Sequence, residues 1–120
     1  MQLNVDGHAV FAATGGRAFL STQETIVFVH GAGMDHTVWA LQTRYFAHHG
    51  RNVLALDLPG HGRSAGAPLK SIEDLAAWVG RLLDAAGIEA AALAGHSMGA
   101  LIALAAAGVM PGRVRALALL

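Results

Sequence analysis

An apolar strand-like run, a serine held between two glycines and a helix-like run follow one another over residues 90–108, and this succession restricts the chain more than any other feature. At its centre is Gly95-His96-Ser97-Met98-Gly99. Residues 90–94 are small and apolar, and residues 100–108 continue small and uncharged without a turn signal, so the pattern predicts a strand that turns sharply at Ser97 and leaves as a helix. Lacking a Cβ, Gly95 and Gly99 let strand and helix pass close together at a turn whose central residue is strained. A serine presented there stands where a base can approach from one side and backbone N–H donors from the other. Ser97 is therefore read as a nucleophile for a carbonyl carbon. The plain alternative is a serine whose hydroxyl caps the helix N-terminus. The glycine–serine–glycine pattern also occurs by chance, so the strand before it and the helix after it carry the weight.

Two more strand-to-glycine transitions precede this one. Thr25–Val29 is β-branched and aromatic, the composition of a buried strand, and it ends in His30-Gly31-Ala32-Gly33-Met34-Asp35. Residues 53–57 form another apolar strand, broken by Leu58-Pro59-Gly60-His61-Gly62-Arg63-Ser64. Between these strands Val38, Trp39, Gln42, Tyr45 and Phe46 fall near helical spacing, with Gly50 as a stop. Ser71-Ile72-Glu73-Asp74 reads as a helix start with Ser71 as cap; Leu75, Trp78, Val79, Leu82 and Leu83 then line one face until Gly87. Pro111-Gly112 is a turn before a last strand over residues 114–120. At the other end, residues 3–5 and 9–13 flank the turn dipeptide Asp6-Gly7 as a hairpin that Gly15-Gly16 ends. Strands alternating with helices imply parallel pairing through right-handed crossovers. The expected fold is a single α/β domain, a mostly parallel sheet with helices on both faces. Ligands of such sheets sit at the C-terminal ends of the strands, where Ala32, Asp57 and Ser97 all fall.

Composition agrees and narrows the partners. At 54% hydrophobic and 13% charged, the 120 residues suit a sheet covered on both sides. Eight Lys and Arg balance eight Asp and Glu, which removes any pull toward nucleic acid or an anionic membrane and leaves a small molecule as the expected partner. Without cysteine there is no disulfide framework, thiolate nucleophile or cysteine-ligated metal. No paired-histidine spacing suggests a metal, and the glycine turns match neither dinucleotide nor phosphate-loop patterns, so no cofactor is expected. The first residues lack the basic start and apolar core of a secretory signal, which points to the cytoplasm. Residues 98–110 are uncharged but fall well short of the roughly 20 residues that span a bilayer, and are expected to be a buried core helix.

The turns at residues 30–35, 57–64 and 95–99, in this order, resemble the α/β-hydrolase superfamily, in particular its esterase, lactonase, haloperoxidase-like and carbon–carbon-bond hydrolase branch. The resemblance runs over residues 8–120. It implies that Ser97 forms an acyl-enzyme, that Met98 supplies one oxyanion-hole N–H, and that Ala32 supplies the other, with Gly33 as alternate. Met34 and Met98 are candidates to touch substrate, and Trp39 to line the pocket beside the oxyanion loop. His96 is a supporting neighbour of the serine, His30 and His61 are hydrogen-bonded braces, and His8, His36, His48 and His49 are surface or helix-flank residues. Asp57 precedes the nucleophile, whereas the family's order is serine, acid, histidine, so it is expected to order the turn that follows it. Arg63 and Ser64 are expected on that turn's surface, and Trp78, Tyr45 and Phe46 in the core.

The superfamily continues for further strands, a cap region, an acid and a histidine, whereas these residues stop at Leu120 inside an apparent strand. The chain is thus expected to be the N-terminal part of the fold, with the triad acid and base outside residues 1–120. The expected activity is cofactor-free hydrolysis of an ester, lactone or related carbonyl compound. The alternatives are a perhydrolase or carbon–carbon-bond hydrolase using the same serine, or a non-catalytic member.

Overall fold

A computed structural model describes residues 1–120. The chain opens with the expected hairpin: β1 (Gln2–Val5) pairs antiparallel with β2 (His8–Ala13). Asp6 and Gly7 between them have φ of 55° and 79°, the two left-handed residues that a tight hairpin turn requires. There follow β3 (Thr25–Val29), a 3-10 turn (His36–Trp39) running into α1 (Ala40–Ala47), β4 (Asn52–Leu56), α2 (Ile72–Ala85), β5 (Ala91–Gly95), α3 (Met98–Val109) and β6 (Val114–Leu119). The sheet order is β1-β2-β4-β3-β5-β6. The strands β4, β3, β5 and β6 are parallel, and the hairpin joins antiparallel at β4.

The order places β3 at a turning point. From β3 the chain moves outward to β4, then crosses back over β3 to β5 and on to β6. Crossovers of one hand running in opposite directions put their helices on opposite faces. Side-chain alternation along the strands follows suit. Val27, Val29, Leu54, Leu56 and Leu93 pack with Leu75, Trp78, Val79, Leu82 and Leu83 of α2 and Ile102, Ala103 and Ala106 of α3. Phe28, Val53, Ala55 and Ala94 face the other way, toward Trp39 and Ala47. The expected α2 face is buried at all its positions, and the Ser71 hydroxyl accepts from the Asp74 N–H at 3.0 Å.

Two expectations for the helices are corrected. Tyr45 is exposed, because α1 is only 8 residues long and turns Thr43 and Ala47 to the sheet instead. Residues 98–110 are not a wholly buried helix: Gly99, Ile102, Ala103 and Ala106 are covered, while Leu101, Leu104 and Val109 are exposed. A stripe of small residues brings α3 close to the sheet and α2, and its outer face stays apolar without cover. The α1 side is also thinly covered, leaving a groove of about 280 Å³ lined by Ile26, Phe28, Trp39, Phe46, Ala94 and Leu120 among others. No helix is long and apolar enough to cross a membrane.

Candidate active site

Because β3 and β5 are neighbours whose following connections depart in opposite directions, a crevice opens outside their C-terminal ends. Both turns singled out in the sequence lie there, residues 30–35 after β3 and Ser97 after β5.

Ser97 has φ 58° and ψ −121°. Only it and Asp6 hold positive φ among the non-glycine residues. Such a conformation costs about 1–3 kcal/mol and persists only where the surroundings over-determine it. Here they do: His96 N–H donates to Val29 O at 3.1 Å, Ser97 N–H to Leu120 O at 2.9 Å and Ala100 N–H to Ser97 O at 2.9 Å. The serine is exposed, and its hydroxyl makes no capping bond to the helix it precedes. A Cβ on Gly95 would collide with Gly99 O; one on Gly99 would collide with Val29 O and stand 2.7 Å from His30 O. The close approach expected at the elbow thus involves the end of β3 as well as β5.

Met98 opens α3. The N–H groups of Gly99, Ala100 and Leu101 are taken by His96 O and Ser97 O, whereas Met98 N–H has no partner. Ala32 and Gly33, both exposed, also carry N–H groups without a protein acceptor. The loop that bears them has one internal bond, Met34 N–H to Gly31 O at 3.2 Å. Gly31 lies against the serine: a Cβ there would be 3.2 Å from Ser97 Cβ and 3.5 Å from Met34 Sδ. Met34 therefore stands near the elbow. Trp39 does not: it packs on Phe28 with ring centroids 5.0 Å apart and lines the sheet-face groove, because the 3-10 turn carries it under the sheet.

His30 is fully buried. Its Nε2 accepts from Leu58 N–H at 3.1 Å, so Nδ1 carries the proton and donates to Gly31 O at 2.7 Å. Burial holds this imidazole below the ordinary histidine range, and it serves as a neutral brace between the loops after β3 and β4. His61 bonds Pro59 O at 3.0 Å, with its ring 5.1 Å from that of His30. His8, His48, His49 and His96 are exposed.

His36 departs from the expectation of a surface residue. Its side chain is only 17% exposed, and both its N–H and its Nδ1 reach Asp57 Oδ1, at 2.7 and 2.9 Å. Asp57 itself is fully buried and orders the following turn as expected, Oδ2 accepting from Arg63 N–H at 2.8 Å. Gly62, at φ 50°, wraps the carboxylate so closely that a Cβ would lie 2.7 Å from Oδ1. Ser64 is a buried bridge instead of a surface residue: its hydroxyl donates to Asp57 O at 2.6 Å and accepts from Phe11 N–H at 3.0 Å. The Arg63 guanidinium sits 4.9 Å over the Phe11 ring. Sequence reasoning missed the His36–Asp57 contact, because the two residues are 21 positions apart and no spacing rule joins them. Asp35, beside them, accepts from the Thr37 hydroxyl and N–H, which in that order hold its carboxyl below the usual carboxylate value, and the N–H bond caps the 3-10 turn. Oxygen atoms of Asp35 and Asp57 and a ring nitrogen of His36 lie within 4.8 Å of one another, with Asp57 engaged by three N–H donors.

A family model described as the alpha/beta hydrolase fold matches residues 24–120. The chain belongs to the α/β-hydrolase family. It is similar, at 42% identity over 97% of its length, to the dihydrolipoyllysine-residue acetyltransferase component of the acetoin cleaving system of Cupriavidus necator, covering 30% of that protein. It is 36% identical over 81% of its length to the (E)-2-((N-methylformamido)methylene)succinate hydrolase of Acinetobacter baylyi, of which it covers 37%. Among solved structures, a bacterial membrane phospholipase A superposes with a TM-score of 0.90 at 31% identity, over 99% of this chain and 38% of the other. The chain therefore spans about a third of the length of the proteins it matches.

Proposed function

We propose that this segment carries the nucleophile and oxyanion hole of a serine hydrolase that cleaves an ester, lactone or related carbonyl compound without a cofactor. The carrying observation is Ser97 held at φ 58° with a hydroxyl free of any capping bond, next to the unpartnered Met98 N–H. Ser97 Oγ attacks the carbonyl carbon and its proton passes to a base; the carbonyl oxygen gains negative charge; the leaving group departs, and water then releases the acyl group. Donors to that oxygen are Met98 N–H, at the positive end of α3, and Ala32 N–H, with Gly33 N–H as alternate. Met34, whose Sδ lies 3.5 Å from where a Gly31 Cβ would stand, is the side chain assigned to touch the acyl group, and its nearness to the elbow supports that reading.

No side chain of residues 1–120 hydrogen-bonds Ser97 Oγ, and the relatives are about three times as long, so the acid and histidine are proposed to come from outside this segment. The relative named as an (E)-2-((N-methylformamido)methylene)succinate hydrolase supports water as the final acceptor. The test is labelling of the complete protein by a serine-directed phosphonate. Ser97→Ala should abolish labelling; equal labelling of parent and variant overturns the assignment. Residues 1–120 alone should turn over an activated short-chain ester far more slowly than the complete protein, since donors without a base give only residual acceleration.

A further inference from the structure

We propose that His36 and Asp57 form a clamp that positions the Gly31-to-Asp35 loop, and with it the Ala32 and Gly33 N–H groups, against Ser97. The inference rests on the oxyanion-hole reading above.

The loop has one internal hydrogen bond, from Met34 N–H to Gly31 O, and exposes Ala32, Gly33 and Met34. Little inside it fixes its place. Its two flanking residues do so instead, and both are histidines tied to the residues just past β4. On the near side His30 Nε2 accepts from Leu58 N–H and its Nδ1 holds Gly31 O. On the far side His36 places its N–H and its ring Nδ1 on one oxygen of Asp57. Two donors from one residue to one acceptor fix backbone and ring together, and charge-assisted bonds of this kind are the stronger class.

Asp57 is itself immobilised. Its other oxygen accepts from Arg63 N–H, its carbonyl from the Ser64 hydroxyl, its N–H donates to Phe11 O, and Gly62 closes over the carboxylate. The loop is thus referenced to two consecutive residues, Asp57 and Leu58, at the end of a buried strand. Only a carboxylate satisfies this arrangement: an asparagine would turn its NH₂ toward N–H donors on one side or the other. Asp35, capping the 3-10 turn through Thr37, makes the far anchor the start of a rigid turn.

Oxyanion donors act through position, and losing one costs about 10²–10³-fold in kcat. The test uses His36→Phe, which keeps a ring against Phe11 (4.9 Å between centroids) but removes the Nδ1 donor, and His36→Asn, whose amide can donate to Asp57 again. In the complete protein His36→Phe should lower kcat per folded molecule about tenfold or more while KM stays within about threefold, and His36→Asn should regain most of it. A merely structural role would lower thermal stability and leave kcat per folded molecule and the Asn rescue without effect. Unchanged kcat in folded His36→Phe overturns the clamp. Independently of activity or of any variant, the Met34 amide of the parent should exchange with D₂O about tenfold or more below the free-peptide rate; exchange at the free-peptide rate also overturns it. Ser97→Ala distinguishes the two levels: if that variant keeps full activity the serine mechanism falls, while amide exchange still judges the clamp.

Discussion

At the scale of single residues, the elbow depends on atoms that are missing. Gly99 fits between α3 and the end of β3 because a hydrogen stands where a Cβ would meet Val29 O. Gly99→Ala should lower stability by about 3 kcal/mol or more, since backbone on both sides has nowhere to move. Gly108, inside the same helix with nothing within 4 Å of its would-be Cβ, is the control. Gly108→Ala should raise stability by about 0.5–1 kcal/mol through helix propensity. Urea unfolding of the two variants checks this, and equal effects would mean the elbow is packed differently. Gly31→Ala is intermediate: at 3.2 Å from Ser97 Cβ the new methyl should leave the fold intact and slow phosphonate labelling of Ser97 severalfold. Gly31 and Gly99 stood out in the sequence and Gly108 did not, but whether each faces backbone, side chain or open space depends on what the fold brings against it.

At the scale of elements, the braces between loops make stability depend on pH. His30 is buried and neutral, with its folded-state pKa depressed mainly by desolvation. In the unfolded chain the same ring protonates below about pH 6.5, so there the unfolded state binds more protons and stability rises with pH. His30 therefore costs nothing above that value, and its contribution is lost progressively as pH falls below it toward the folded pKa. Stability of the parent should decline as pH falls below about 6.5, and His30→Gln should flatten that decline while lowering stability at neutral pH. A parent and variant with parallel pH profiles would remove His30 as the cause. The start of α2 offers a simpler measurement. Ser71→Ala, which removes the acceptor for Asp74 N–H, should cost about 0.5–2 kcal/mol in chemical unfolding. That cap and the apolar face behind it were legible as a local pattern. The partners of His30 were not, because Leu58 lies 28 residues away.

At the scale of the whole molecule, residues 1–120 leave apolar surface uncovered along one edge and face of the sheet. β6 ends the sheet with no strand on its outer side, Leu117, Leu119 and Leu120 are 38%, 46% and 71% exposed, and the groove over Phe28 and Trp39 adjoins them. Trp39 Nε1, buried without an acceptor, lies in the same region. With a net charge of zero nothing opposes association. Residues 1–120 on their own should self-associate at micromolar concentration, and Leu119→Lys with Leu120→Lys should shift light scattering toward the monomer by blunting edge and face together. A parent that elutes as a monomer would show that this face is tolerated in water.

Hydrophobic periodicity and the three glycine turns were enough to determine the alternating strands and helices, the parallel sheet and the candidacy of Ser97, because each depends on interactions within a few residues of chain. Periodicity could not say that β3 and β5 are neighbours, and it is that adjacency which sets the residue 30–35 loop beside the serine elbow. Nor could it separate the His36 that reaches Asp57 from the His48 and His49 that face water, since all three merely flank the same helical stretch. A hydrogen bond across the sheet depends on which strand ends meet, and strand order is a property of the packed whole. The depth of burial of Asp57 and Ser64 was decided in the same way, by the turn of residues 57–64 folding back against β2, a contact that exists only once the hairpin has joined the sheet at β4.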